Sequence, residues 1–192
     1  QGALLRSVDP GVDVARLDPG VLYPGDPAGG GERRAVSQLL DRLLDAGATV
    51  LMSAGNHDSA QRLGFGRHRS ARAGLHLRTG LHDAAEPLLL SDQHGEIACY
   101  AIGYLDPGLV CAELGVARSH QAVLGQALSG IRRDATARGS SRVVVAAHAF
   151  VAGGQPSDSE RDVTVGGVDR VSAPLFDGFS YTALGHLHRP QI

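Results

Sequence analysis

The sequence predicts an α/β domain in which mixed β-sheets are layered with helices, and three observations predict it. Amphipathic helical segments alternate with short apolar strands, which is the pattern of αβ crossover units. Two apolar segments, 87–90 and 97–102, are joined by a polar turn and indicate a β-hairpin added to those units. Three further apolar strands, 49–54, 142–147 and 181–185, run directly into Gly, Asn or His residues.

The first element after the N-terminal segment is a helix over 33–46, because its apolar residues recur at helical spacing and Gly47 supplies a C-terminal stop. The strand 49–54 follows at once. Helical patterns recur at 67–73 and 119–137, and the second again leads into a strand. The apolar positions of the first helix are Val36, Leu39, Leu40, Leu43 and Leu44. Helix followed by strand is half of a parallel crossover unit.

Residues 1–33 differ from the rest of the chain. Asp-Pro-Gly-Val occurs at 9–12 and again at 18–21, and such sequences form turns because Pro fixes φ and Gly accepts positive φ. Only 21–23 has the composition of a strand. We therefore expect a poorly structured, atypical segment up to residue 33, followed by the domain over 34–192.

The chain begins at Gln1 and its only methionine is Met52. This predicts an N-terminally incomplete sequence and a partial domain truncated at both ends. Further strands are predicted at 75–78 and 163–165.

Composition limits the classes of function. The 192 residues form one ordinary domain, and no apolar segment approaches the roughly 20 residues that span a bilayer, so no membrane partner and a cytoplasmic location are expected. A net charge of -2 gives no global attraction to nucleic acid, so DNA contact requires a local basic patch or bound cations. Cys99 and Cys111 are not in a C-x-x-C arrangement and are predicted to be reduced, packed thiols.

Polar side chains follow three of the predicted strands. Asn56 and His57 follow the strand 49–54, His148 follows the second strand, and His186 and His188 end the third. In an α/β sheet, groups just past the carboxyl ends of strands face a common crevice. Imidazole nitrogens and an amide oxygen are a ligand set that suits first-row transition metals. The sequence therefore predicts a metal site at this edge of the sheet.

The order of these motifs resembles the calcineurin-like metallophosphoesterases: G-N-H-D at 55–58, a strand ending in His148, and G-H-x-H at 185–188. From about residue 43 to 191 the chain is similar to their SbcD-type nuclease subunits. The segments that carry the similarity are 53–59, 62–66, 147–150, 157–162, 166–168 and 183–188.

The resemblance implies a metallophosphoesterase-like sandwich that hydrolyses phosphodiesters with two divalent metal ions, Mn2+ being expected. It implies a DNA exonuclease or endonuclease acting in DNA replication, repair and recombination. It also implies an SbcC-like coiled-coil ATPase as partner, and a homodimer within a heterotetramer.

Residue roles follow from the same resemblance. Asn56, His148 and His186 would ligate one ion, and His188 would help to ligate the other. Asp26 follows Gly25 after a short apolar segment and would bridge the ions.

The resemblance further makes His57 the acid that protonates the leaving oxygen, or a group that stabilises charge in the transition state. Asp58 would orient His57.

Two family motifs are not matched. The family begins with D-x-H on its first strand, whereas residues 1–54 contain no histidine, and Gly29 stands where the family has a second Asp after Asp26. D-x-H does occur at 92–94, which we interpret as an exposed hairpin turn and not as a ligand pair. Activity of the chain is therefore open. The alternatives are a catalytically inactive metal-binding remnant and a phosphodiesterase for small substrates.

Two other features have two interpretations each. The charged segment 157–162 is either a solvated loop or a loop near the metal crevice. Arg67, Arg69 and Arg72 are interpreted as a solvated helix face, with phosphate contact as the alternative. The remaining histidines, predicted to be surface or loop residues, are His68, His76, His82, His94 and His120.

Overall fold

The computed structural model describes residues 4–6, 13–15, 30–152 and 170–186. It confirms the predicted mixed α/β architecture, with parallel and antiparallel sheets flanked by helices. The strands are β1 Leu4–Arg6, β2 Asp13–Ala15, β3 Val50–Ser53, β4 Leu75–Arg78, β5 Leu88–Asp92, β6 Gly95–Ile102, β7 Val143–His148 and β8 Tyr181–Gly185. The helices are α1 Gly30–Asp45, α2 Ala60–Leu63, α3 Arg67–Arg72, α4 Pro107–Leu114 and α5 His120–Arg138, and a 3-10 turn spans Ala173–Phe176.

The largest sheet has four strands in the order β5-β6-β7-β8. The predicted hairpin is confirmed, since β5 and β6 pair antiparallel, with Leu88 opposite Cys99. The strands β6, β7 and β8 are parallel, and β3 and β4 form a separate parallel pair. The carboxyl ends of β6, β7 and β8 therefore lie at one edge of the sheet.

Alternation along β6 defines the layers, because successive side chains of a strand point to opposite faces. Ile97, Cys99 and Ala101 form a buried cluster with Leu51 of β3. The intervening residues of β6 are buried with the apolar face of α5. The members of this second cluster include Ala98, Tyr100, Ile102, Val123, Leu124, Leu128 and Ile131. The four-stranded sheet is thus packed between the β3–β4 pair and α5.

Both cysteines are free thiols. Cys99 is buried in the sheet, and this burial raises its pKa to about 11. A thiol with so high a pKa stays protonated and inert at neutral pH.

The N-terminal segment differs from its prediction. The expectation that only 21–23 forms a strand there is wrong, because β1 and β2 pair antiparallel, with Leu4 opposite Ala15. Strands of three residues are too short to leave a periodic apolar pattern in the sequence. Residues 21–23 lie outside the described part of the chain, and the proposed domain boundary at residue 33 stays a prediction.

Helix α4 is absent from the sequence-based prediction, although its ends carry recognisable signals. Asp106 accepts a hydrogen bond from the Gly108 N–H (2.7 Å), Pro107 occupies the first helical position, and Gly115 ends the helix with φ of 66°. This is a capped helix start with proline at N1 and a left-handed C-cap. Its apolar residues lie all round, so the sequence shows no amphipathic period.

The D-x-H sequence at 92–94 is confirmed as a hairpin turn. Gln93 and His94 are exposed at its tip, while both carboxylate oxygens of Asp92 accept hydrogen bonds from Arg142 at 2.6 Å. This bidentate pair ties the hairpin to the start of β7. The hydrogen bond from Arg142 lowers the pKa of Asp92 from 3.8 to about 2.

We expect Asp92→Asn to destabilise the fold at pH 7 and to have a progressively smaller effect as pH falls from about 4 to about 2. The folded-state pKa is below the unfolded value, so the stabilisation is present above pH 4 and is lost as the carboxylate protonates. Urea unfolding of the wild type and of Asp92→Asn across this pH range measures the difference in their free energies of unfolding. A difference in stability that does not change with pH would contradict the assignment.

Candidate metal centre

The carboxyl ends of β3, β6, β7 and β8 meet at one edge of the domain. The Tyr104 N–H donates to the Ala54 carbonyl oxygen (2.8 Å), which joins the residues after β6 to those after β3. Gly103 allows this approach, since a Cβ there would lie 3.2 Å from both the nitrogen and the oxygen of Ala54. On the other side His148 is paired in register with Gly185. Residues that follow each of these strands are thereby brought together.

The structure brings three of the predicted metal ligands into contact. His148 Nε2 lies 3.1 Å from Asn56 Oδ1 and 3.3 Å from His186 Nδ1. The Asn56 backbone N–H points at the same His148 nitrogen over 3.4 Å. His148 is only 6% exposed, whereas Asn56 and His186 are half-buried. The cluster is therefore anchored inside the domain by His148 and reaches the surface through the other two residues.

The chemistry of this donor set fits a divalent metal ion. Nitrogen and oxygen lone pairs packed this closely repel one another unless a proton or a cation lies among them. Ligand atoms about 2.1 Å from a common ion lie about 3.0–3.4 Å from each other, which is the range of the two contacts. One amide oxygen and two imidazoles are a mixed set suited to Mn, Fe or Zn. The role of these residues as metal ligands stays a prediction.

The G-N-H-D turn holds Asn56 in place. The Gly55 N–H donates to Asp58 Oδ2 (2.8 Å), and the Asp58 N–H donates to the Gly55 carbonyl oxygen (3.2 Å). These two bonds close the turn around Asn56 and His57. His57 is exposed at the tip, where a substrate can reach it. The predicted roles of His57 as acid and of Asp58 as its orienting partner remain predictions.

Several predicted site residues lie outside the described part of the chain. They are Asp26, His188, the segment 157–162 and the predicted strand 163–165. Within residues 30–152 and 170–186, no group of three or more His, Cys, Asp or Glu side chains is arranged to hold a metal. The Asn56 cluster contributes two such residues, His148 and His186, and an amide.

Two aromatic rings that pack against the cluster were not predicted from the sequence. The Tyr104 ring lies 6.2 Å from the His148 ring, and the Phe150 ring lies 5.6 Å from the His186 ring. His120 packs against Tyr104 at 5.4 Å and shares a small cavity with His148. Tyr104 lies two residues after the end of β6, so the strand-end rule applied to the other strands would have found it.

Four of the other histidines, His68, His76, His82 and His94, stand apart from this cluster, whereas His120 borders it. His68 and His94 are exposed, and His82 lies 3.0 Å from a Glu113 carboxylate oxygen at the surface, as predicted. His76 differs, because it is half-buried on β4, where desolvation lowers its pKa, with Arg78 adding to the effect. Ser119 caps α5 by accepting a hydrogen bond from the Ala122 N–H, and His120 is the first, half-buried residue of that helix and not the surface or loop residue predicted.

His186 adopts an unusual backbone conformation. Its φ is 106°, a value that side chains with a Cβ rarely adopt, and among the described non-glycine residues it alone has a positive φ. Such a conformation costs about 1–3 kcal/mol and is found mostly where function requires it. It turns the imidazole of His186 towards His148.

Replacement of His186 should show this strain directly. His186→Gly and His186→Ala both remove the imidazole, but only glycine adopts the positive φ without steric cost. We expect the glycine variant to be more stable than the alanine variant by about 1 kcal/mol, measured by chemical denaturation in EDTA. Equal stabilities, or a more stable alanine variant, would show that the backbone at His186 is unstrained.

The mixed α/β fold is consistent with a metallophosphoesterase-like sandwich, and the donor cluster lies at the carboxyl edge of its sheets. No family model matches the chain. The chain is similar to a curated protein, the SbcD subunit of the nuclease SbcCD from Staphylococcus saprophyticus subsp. saprophyticus, with 29% identity over 158 residues. The match covers 81% of this chain and 40% of the relative, so the chain spans about 40% of that relative's length. This similarity confirms the resemblance to SbcD-type nucleases seen in the motifs.

Proposed function

We propose that the chain is the nuclease-domain portion of an SbcD-like DNA exonuclease or endonuclease subunit that hydrolyses phosphodiesters with two divalent metal ions, Mn2+ being expected. The observation that carries the proposal is the convergence of three side chains at the carboxyl edge of the sheet. His148 Nε2 lies 3.1 Å from Asn56 Oδ1 and 3.3 Å from His186 Nδ1. The similarity to a relative named as a nuclease subunit supports it.

Each residue has a role in this proposal. Asn56, His148 and His186 would hold one ion, His188 would help to hold the second, and Asp26 would contribute to both. When bound, the two ions supply positive charge to the phosphate and activate the attacking water. His57, exposed on a turn closed by Asp58, donates a proton to the leaving oxygen.

The biological setting is part of the same proposal. The substrate is DNA, and the partner is an SbcC-like coiled-coil ATPase that binds a homodimer of the nuclease subunit. The setting is end processing in the cytoplasm during DNA replication, repair and recombination. Among the described helices, none has the length and apolar character needed to cross a membrane.

The absence of histidine from residues 1–54 favours a second candidate, a catalytically inactive remnant that binds a single ion. The family's D-x-H motif has no counterpart there, so the ion that His188 helps to hold would lack its other ligands.

Metal content and substrate preference separate the candidates. We expect the protein with Mn2+ to bind two ions and to shorten linear DNA faster than it hydrolyses a cyclic nucleotide. One ion per chain, with no hydrolysis of DNA or of bis-p-nitrophenyl phosphate, would establish the inactive remnant. A preference for the cyclic nucleotide would establish a phosphodiesterase for small substrates.

A further inference from the structure

The corner between α2 and α3 presents an exposed aromatic ring. Phe65 is 89% exposed, the largest exposure of any large apolar side chain in the described part of the chain. It lies between Gly64 and Gly66, nine residues after Asn56. A phenylalanine left in water forgoes the favourable burial that usually places it in a core.

The backbone on both sides of Phe65 is held in place. Gly64 packs so closely on Thr79 that a Cβ would lie 2.6 Å from the Thr79 hydroxyl oxygen. After the corner, Arg67 is paired with Asp83, whose other carboxylate oxygen accepts hydrogen bonds from the Thr79 and Gly80 N–H groups. These contacts fix the backbone at the corner between α2 and α3, so the exposed Phe65 ring is held in a defined place.

Arginines flank this ring in the sequence. The segment 59–82 contains five arginines and no Asp or Glu, in a chain whose net charge is -2. Arg62, Arg69 and Arg72 are exposed, and Arg69 and Arg72 lie three residues apart on one face of α3. Unlike Arg67, none of these three forms an ion pair with another described residue. We call Arg62, Phe65, Arg69 and Arg72 the basic aromatic corner.

An exposed aromatic ring with exposed arginines close to it in the sequence matches the chemistry of unpaired nucleic acid. Every nucleobase offers a flat π-face to stack on an aromatic side chain, and arginines bind the flanking phosphates. Paired bases in a duplex are already stacked on each other and do not offer that face. The corner therefore favours a single strand over a blunt duplex.

We propose that the basic aromatic corner binds an unpaired nucleobase on Phe65 while Arg69 and Arg72 bind adjacent phosphates. This inference rests on the proposed nuclease function and specifies a DNA-binding subsite for it. Nine residues that include the helical turn α2 span at most about 25 Å, so the stacked base lies within about seven nucleotides of the phosphodiester held at Asn56.

Substitution of Phe65 tests the stacking contact. In EDTA, where hydrolysis cannot occur, we expect Phe65→Ala to weaken binding of an oligo(dT) strand by about 10-fold or more. The effect on a blunt duplex should be much smaller. The control is Leu109→Ala, which removes another highly exposed apolar side chain, 79% exposed on α4, and should leave binding unchanged. If the Phe65→Ala protein is folded by circular dichroism and binds oligo(dT) as tightly as the wild type does, the stacking role is overturned.

The arginines are tested through salt dependence. The double variant Arg69→Ala/Arg72→Ala should reduce the slope of log K against log salt by about 1.4, since each phosphate contact on a single strand contributes about 0.7. The exposed Arg133 of α5 provides the matched control, and Arg133→Ala should leave the slope unchanged. An unchanged slope in the double variant would remove these arginines from the site.

A tryptophan reporter gives a direct measure of contact, because the chain contains no tryptophan. Phe65→Trp should show fluorescence quenching when oligo(dT) is added, whereas Leu109→Trp should not. Equal responses of the two reporters would contradict stacking at Phe65.

Different results would overturn the subsite and the nuclease function. A wild type that cleaves DNA, with Phe65→Ala equally good in binding and cleavage, would overturn the subsite and leave the nuclease assignment in place. A wild type that neither binds nor cleaves DNA would overturn both. A blue shift of the Phe65→Trp emission with anionic lipid vesicles, without quenching by oligo(dT), would assign the corner to a membrane surface instead.

Discussion

Replacing His148 with alanine should lower Mn2+ affinity by at least about 100-fold and abolish metal-dependent phosphodiester hydrolysis. His148 Nε2 lies at the centre of the cluster, in contact with both Asn56 Oδ1 and His186 Nδ1. Even residues that only support a metal ligand typically contribute 10- to 100-fold to metal affinity, so loss of a ligand should exceed this. Mn2+ titration by calorimetry, together with hydrolysis of bis-p-nitrophenyl phosphate, measures both effects.

The variant must be distinguished from one that is simply unfolded. His148 is buried, so its replacement by alanine leaves a cavity and takes an acceptor from the half-buried Asn56 N–H, and we expect a loss of stability. Denaturation in EDTA measures that loss without metal. His94→Ala, at the exposed hairpin tip, is the matched control and should retain both stability and metal affinity. A folded His148→Ala protein with wild-type Mn2+ affinity would contradict the proposed ligand set.

Replacing His57 with alanine should leave Mn2+ affinity unchanged, unlike His148→Ala, and should reduce DNA cleavage by about 100- to 10,000-fold. His57 is exposed at the tip of the G-N-H-D turn and makes none of the contacts that join Asn56, His148 and His186. A positioned general acid contributes a factor of this size when the leaving group is a poor one. Calorimetry with Mn2+ and cleavage of linear DNA report the two quantities.

The leaving group distinguishes proton donation from a structural effect. The 3′ oxygen of DNA is a poor leaving group and needs a proton, whereas p-nitrophenolate is already stable as an anion. His57→Ala should therefore retain most of its activity on bis-p-nitrophenyl phosphate. Equal losses on the two substrates would show that His57 does not act as the acid, and unchanged DNA cleavage would remove it from the mechanism.

Much of the site could be predicted from where strands end. Asn56 and His186 lie just after apolar strands, and His148 ends one. Parallel strands bring their carboxyl ends to one edge of a sheet. That rule needs no contact information, because it depends on the shared direction of the strands. The same rule applied to β6 identifies Tyr104.

Other features depend on tertiary contacts that no local pattern carries. The apolar, non-amphipathic α4 is recognisable only by its caps, and the three-residue strands β1 and β2 are too short to show a period. The sequence places Arg67 on a solvated helix face, but it pairs with Asp83, sixteen residues further along the chain. The positive φ of His186 is likewise not signalled by the local sequence, because residues with a Cβ rarely adopt it.

The anomalous signal of Mn2+ in crystals of the protein tests the central claim most directly. We expect an anomalous peak about 2.0–2.3 Å from Asn56 Oδ1, from a nitrogen of His148 and from a nitrogen of His186. Manganese bound elsewhere with none among these three side chains, or three side chains that lie apart in the crystal, would contradict the account.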